Sequence, residues 1–341
     1  MEYRQLGRTG AYVSSICLGT MTFGGASTPP WQALGGLDLP EVDAIVGRAL
    51  EAGVNFIDTA NMYAGGESEE LLGKALRGRR DEVVLATKVH ARMGAGPNDV
   101  GQSRLHVMAE IDASLRRLGT DHIDLYQLHG FDQVTPPEET LRTLDDAVRA
   151  GKVRYIGCSN FAAWQIARWL GVSALRELEQ LVSVQAYYSM AGRDLEHELL
   201  PLIDDAGLGL LVWSPLAGGL LSGKATRDAD AAEGTRRAQH QFPPVDRELA
   251  FDVIDVARPI AERHGVTVAR VALAWLLSRR AVTSVIVGAR RLDQLDDNLA
   301  AVDLQLEDDE LAALNEAGAP PALYPGWIHA SHGPNRYPQP A

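Results

Sequence analysis

The chain of 341 residues carries 45 Asp and Glu against 32 Lys and Arg, a formal charge of −13 that argues against the basic face selected by nucleic acid or an anionic membrane. Its length admits one large α/β barrel or two ordinary domains, and its two cysteines are too few for a disulfide framework or structural zinc site. The start, MEYRQLGRTG, lacks the apolar core of a signal peptide and no run approaches the roughly 20 apolar residues of a membrane span, so a soluble, cytoplasmic protein is expected.

Residues 2 to 14 predict a hairpin, EYRQL and YVSSI around Gly7 to Gly10, that caps the bottom of the fold. From there apolar runs of strand length alternate with amphipathic segments. The runs are SICLG (15 to 19), VNFID (54 to 58), EVVLATK (82 to 88), HIDLYQLH (122 to 129), VRYIGCS (153 to 159), LVSVQ (181 to 185), LGLLVWS (208 to 214) and TSVIVG (283 to 288). Between them, LPEVDAIVGRALEAG opens with Pro40 and closes with Gly53, and SRLHVMAEIDASLRRLG opens at Ser103 and closes at Gly119, as helices do. Eight strand-then-helix units predict an α/β fold, the (β/α)8 TIM barrel, with all of 1–341 as one domain. Residues 223 to 246 are a long aperiodic loop, and the Pro-rich tail from Gly318 to Ala341 reads as irregular, not helical.

In such a barrel the site is built at the C-terminal ends of the strands. Those ends deliver Asp58, with Tyr63 in its loop, then Lys88, His129, Ser159 and Asn160, Gln185, Trp213 and Ser214, and the run Gly288, Ala289, Arg290, Arg291. Each has an ordinary reading when taken singly: Asp58 a turn cap, Tyr63 a half-buried aromatic, Lys88 a solvated charge, His129 a hydrogen-bonded structural residue. Four titratable groups meeting at one rim point instead to an active site. The chemistry they suit is proton donation to a carbonyl oxygen. A phenol of pKa about 10 is a poor acid at neutral pH, but the Lys88 ammonium favours its phenolate, Asp58 holds the ammonium, and a neutral His129 donates an N–H to the substrate.

None of the four supplies reducing equivalents, so reduction needs a cofactor. Barrels often bind phosphate at their last two strand ends. There SPLAGGLLSGK offers backbone N–H groups, Arg290 and Arg291 offer two guanidiniums for a nucleotide 2′-phosphate, and Trp213 offers a flat ring for nicotinamide. Ser159, Asn160 and Gln185 are placed to bond a carboxamide. The competing reading is a core ring, ordinary turn residues and a basic turn capping the helix RLDQLDDNLAA.

The segments GVNFIDTANMYAGGESEELLGKAL, VLATKV, LRRLGTDHIDLYQLH, GKVRYIGCSNF, VQAYYS, WSPLAGGLLSGK and VIVGARRLDQLDDNL together resemble the aldo-keto reductases over nearly the whole chain. The resemblance implies a catalytic tetrad of Asp58, Tyr63, Lys88 and His129. It implies an NADPH cradle of Ser159, Asn160, Gln185, Trp213, Ser214, Leu216, Gly288, Arg290, Gln294 and Asn298, and no metal. The activity it implies is reversible reduction of an aldehyde or ketone to the alcohol, with Tyr63 as general acid. Trp213 stands where a tyrosine is common. Gly288 and Gln294 stand where many members carry Lys and Arg, which shifts the phosphate-facing charge to Arg290 and Arg291 and keeps NADH possible beside NADPH.

Met21, Phe23, Trp31, Met62, Phe131 and Trp327 are the expected walls of the substrate pocket, favouring an aromatic, alicyclic or terpenoid-like carbonyl over a small sugar. The partner is a small molecule, and monomer and homo-oligomer both stay open. Two other readings compete: a cofactor-free barrel hydrolase or isomerase using Asp58 and His129, and a non-enzymatic nicotinamide-sensing auxiliary subunit. A Rossmann dehydrogenase is set aside because no G-x-G-x-x-G follows the first strand.

Overall fold

The computed structural model describes residues 1–27, 29, 31–227, 237 and 241–336; the rest of the long loop and of the tail, residues 228–236, 238–240 and 337–341, lies outside the described residues, as do 28 and 30. Strands β1 (Tyr3–Gln5) and β2 (Tyr12–Ser14) form the antiparallel hairpin. The barrel strands follow: β3 (Ile16–Gly19), β4 (Phe56–Asp58), β5 (Val84–Val89), β6 (Ile123–Leu128), β7 (Val153–Ser159), β8 (Leu181–Tyr187), β9 (Gly209–Trp213) and β10 (Val282–Val287). They close in the order β10-β3-β4-β5-β6-β7-β8-β9, each pair parallel, so the (β/α)8 barrel is as expected and the strand limits move by two residues at most.

Helices α1 (Trp31–Leu34) and α2 (Leu39–Glu51) follow β3, then come α3 (Glu67–Ala75), α4 (Arg104–Leu118), α5 (Pro137–Arg149), α6 (Ala163–Arg176) and α7 (Leu199–Ala206). After β9 lie α8 (Arg247–His264) and α9 (Val268–Leu277); α10 (Leu292–Leu299), α11 (Asp308–Ala317) and α12 (Gly326–Arg336) follow β10. The α2 start is a capping box, with Asp38 Oδ1 accepting from the Glu41 backbone N–H at 3.1 Å and Glu41 Oε2 accepting from that of Asp38 at 3.0 Å. Ser103 and Gly119 cap α4 as its sequence predicts. Among the described residues no helix is long and apolar enough to cross a membrane.

Strand alternation explains how the barrel interior is divided. Cys17, Phe56, Ala86, Leu125 and Leu211 fill its floor together with Leu6 and Val13 of the hairpin. Two residues further along those same strands stand Gly19, Asp58, Lys88, Gln127 and Trp213, so the period of two lifts them onto the same inner face at the mouth. The hairpin seats against the floor because Gly7, at φ +58°, has no side chain; a Cβ there would stand 2.3 Å from the Val182 carbonyl oxygen.

The tail corrects one expectation. Its prolines read as breakers, yet Gly326–Arg336 is helical, with the backbone N–H groups of Ile328 and His329 both reaching the Pro325 carbonyl at 3.0 Å. A proline fixes φ near the helical value, and just before the first turn it starts a helix instead of ending one.

Candidate active site

The polar rim begins with a charge that is fully buried. Lys88 has no solvent exposure, and its ammonium donates to Asp58 Oδ2 at 2.5 Å, to the Thr59 carbonyl at 2.7 Å and to Tyr63 Oη at 3.3 Å. A buried ammonium survives only when its donors are met by oxygens, and here three acceptors surround it. Burial pulls its pKa down, but the Asp58 carboxylate and the Tyr63 phenol outweigh burial and hold it above that of a free lysine.

Asp58 is held from its other side by two amides. Gln127 Nε2 and Gln185 Nε2 both donate to Oδ1 at 2.9 Å, and Gln185 Nε2 also reaches Gln127 Oε1 at 3.2 Å. Sequence reasoning missed Gln127, which shows a weaker form of the Asp58 signal: an uncharged polar residue inside an apolar run that the strand period turns inward. Gln185, expected at a carboxamide, turns its amide N–H groups to Asp58 and Gln127.

Tyr63 opens the short turn 63 to 66 in the loop after β4, where Ala64 takes a left-handed φ of 50°. The Tyr63 ring meets His129 edge-on at 5.8 Å between centroids, and Trp31 at 5.9 Å. Burial first, then the Lys88 cation and His90, push the His129 pKa well below 6.5, so the ring is neutral at neutral pH. A histidine with a depressed folded pKa adds stability above 6.5, and that stability is lost as pH falls through the folded value, because the unfolded chain takes a proton the folded one refuses. His129→Asn should therefore show a shallower loss of stability than wild type when urea unfolding is followed downward from pH 6.5. Equal slopes would contradict this protonation state.

At the β7 and β9 ends, Asn160 adopts a left-handed φ of 59°, donates Nδ2 to the His129 carbonyl at 2.9 Å and accepts Trp213 Nε1–H at 3.1 Å. Ser159 Oγ is buried without a partner. Ser214 Oγ accepts the Gly218 N–H at 3.0 Å, and Leu216 is half-buried beside that turn. The Trp213 ring is already stacked on Phe242, 5.6 Å between centroids and 4° from parallel, with Tyr187 tilted against it at 5.2 Å.

The two arginines expected at a 2′-phosphate each have a partner within the protein. Arg290 donates its guanidinium to the Ala33 carbonyl and its backbone N–H to Gln294 Oε1 at 3.1 Å, while Arg291 forks onto Asp293 through two 2.8 Å bonds. Asn298 lies buried on α10, and a Cβ at Gly288 would meet only ordinary contacts at 3.7 and 3.9 Å.

The expected pocket walls divide. Trp31 stands against Tyr63, Met21 and Met62 are half-buried at the same mouth, and Phe131 packs on Phe161 at 5.2 Å and on the exposed Trp164 at 6.2 Å. Phe23 is corrected: it has no exposure and belongs to the main core with Leu37, its bridge partner. An aromatic beside a strand end predicts a wall, but the loop doubles back through the Phe23–Leu37 bridge and packs it inward. Trp327 lies half-exposed on α12 with Tyr324 against it at 6.0 Å.

Residues 15–319 match the Aldo/keto reductase family. A barrel of this kind with reductase relatives is an oxidoreductase acting on carbonyl groups. The chain is 40% identical over 340 residues to the uncharacterized oxidoreductase YrpG of Bacillus subtilis, covering 96% of this chain and 97% of that protein. It is 35% identical to a versiconal hemiacetal acetate reductase of Aspergillus parasiticus, over 96% and 99% of the two chains. To a probable voltage-gated potassium channel subunit beta of Arabidopsis thaliana it is 37% identical, over 89% and 92%. The chain belongs to the aldo/keto reductase family.

Proposed function

We propose that this protein reduces an aldehyde or ketone with NADPH, Tyr63 being the general acid. The observation that carries the proposal is the contact of a buried, carboxylate-bound ammonium with the Tyr63 hydroxyl, since that is the arrangement that stabilises a phenolate once its proton has left. Tyr63 gives its proton to the carbonyl oxygen as charge develops there. Lys88 stays protonated throughout and offsets the charge left on the phenol, Asp58 orients Lys88, and the two amides of Gln127 and Gln185 keep Asp58 in place. His129, neutral, donates an N–H that positions the substrate oxygen.

A nicotinamide cofactor, when bound, supplies the hydride. The orphaned Ser159 hydroxyl fits a carboxamide, and Ser214, Leu216, Gly288, Gln294 and Asn298 would line the remainder. Arg290 and Arg291 would take the 2′-phosphate; the exposed Arg291–Asp293 pair is weak and screened, so it yields readily to a better anion. Trp31, Met21, Met62 and Phe131 favour an aromatic or alicyclic carbonyl.

A second reading, a non-enzymatic nicotinamide-sensing auxiliary subunit, has behind it only that some relatives are named as probable potassium-channel beta subunits. One experiment separates the readings. NADPH should quench Trp213 fluorescence and be consumed with aromatic aldehydes or cyclic ketones; quenching with no turnover across the panel would favour the sensor, and neither quenching nor consumption would remove both.

A further inference from the structure

Among the described residues eight buried side-chain polar atoms have no hydrogen-bond partner, and four of them gather in one sector: Nδ1 of His129, Nδ1 of His90, Oε1 of Gln102 and Nε2 of His106. A buried polar atom gives up its hydration without return unless something meets it, and the protein supplies no partner to any of the four. The loops after β5 and β6 arrange them around the backbone of Gly130. Gln102 spends its side-chain N–H on the Gly130 carbonyl and its backbone N–H on Asp132 Oδ2 at 2.8 Å. A Cβ on Gly130 would stand 3.3 Å from Cδ2 of His90 and 3.5 Å from its Nε2, so that ring packs on the backbone directly after His129. His106, in the first turn of α4, lies close enough to His90 to disfavour its charge; Asp132 also faces His90, and Lys88 and His90 face His129.

We propose that His90, Gln102 and His106 hold a buried water against Nδ1 of His129, and that this water fixes the tautomer carrying its proton on Nε2. The donors and acceptors balance. A neutral His129 with Nε2–H presents a lone pair at Nδ1, and Gln102 Oε1 is a second acceptor, so one water gives a hydrogen to each. Its oxygen then accepts from both Nδ1–H of His90 and Nε2–H of His106. Four partners saturate a water's two hydrogens and two lone pairs, within the two to four that a buried water makes. The other tautomer of His129 would turn a lone pair toward a substrate carbonyl oxygen and repel it. These three are positioning residues: they act through His129 and touch neither substrate nor cofactor.

The effect on turnover rests on the proposed carbonyl reduction, whereas the tautomer does not. Proton–nitrogen correlation spectra of the full chain, labelled in histidine and with His129 assigned by its loss in His129→Asn, should show the proton on Nε2 at neutral pH. His106→Leu and Gln102→Leu should convert that signal to a tautomer mixture and lower kcat about tenfold with NADPH affinity unchanged, while His106→Gln, which keeps a polar atom facing the water, should retain most of both. A wild-type proton on Nδ1 overturns the inference without any variant. Spectra of the two leucine variants that match wild type also overturn it. Altered spectra in a protein that reduces no carbonyl leave the water site standing and remove the reductase reading alone.

Discussion

Tyr63→Phe is expected to bind NADPH as wild type does and to lose nearly all turnover, about a hundredfold or more in kcat. The substitution removes one oxygen. Ring contacts with His129 and Trp31 are kept, so the mouth retains its shape. What disappears is the acid that Lys88 touches, and no other hydroxyl is bonded to that ammonium among the described residues. Retention of more than about a tenth of wild-type kcat would mean under ~1.4 kcal/mol of lost transition-state stabilisation, too little for a general acid.

Lys88→Met should cost stability as well as rate. Breaking a buried ion pair by removing one partner costs about 3–5 kcal/mol, because the remaining charge is stranded. Asp58 keeps its two amide donors, which places the expected loss near the lower end, about 3 kcal/mol in urea unfolding. Adding Asp58→Asn to Lys88→Met should recover most of it, since a neutral pair strands no charge. The pH dependence carries a definite sign. The folded pKa of Lys88 is raised, so its stabilisation is fully present below the 10.5 of free lysine and is lost as pH climbs through the folded value. Wild type and Lys88→Met should therefore converge in stability only at strongly alkaline pH; a gap that closes near neutrality would contradict a charged Lys88.

The barrel was legible because its strands are apolar on both faces and its helices amphipathic, a contrast that survives without any knowledge of the contacts. Asp58 and Lys88 were legible for the same reason in reverse: a charge ending an apolar strand must find a partner, and the two lie 30 residues apart on adjacent strands. Gln127 was not, because an uncharged amide inside a strand is a weaker contradiction of its surroundings. The loops hid the most. Phe23 and Trp31 are both aromatic and close in sequence, yet one is core and the other flanks Tyr63, a difference set by how the chain returns through the Phe23–Leu37 bridge. The same holds for Arg290 and Arg291, whose partners Ala33 and Asp293 come from one distant and one local segment. The tail helix was concealed because Pro325 counts as a breaker by composition, whereas it stands just before the first helical turn.

The central claim is that Tyr63, activated by the buried Lys88–Asp58 pair, protonates a carbonyl while NADPH reduces it. The most direct measurement is NADPH consumption by wild type and Tyr63→Phe on one accepted aldehyde or ketone, with NADPH affinity of each taken from Trp213 quenching. Equal affinities with turnover lost only in the variant are the expected result. Equal affinities with equal turnover would contradict it.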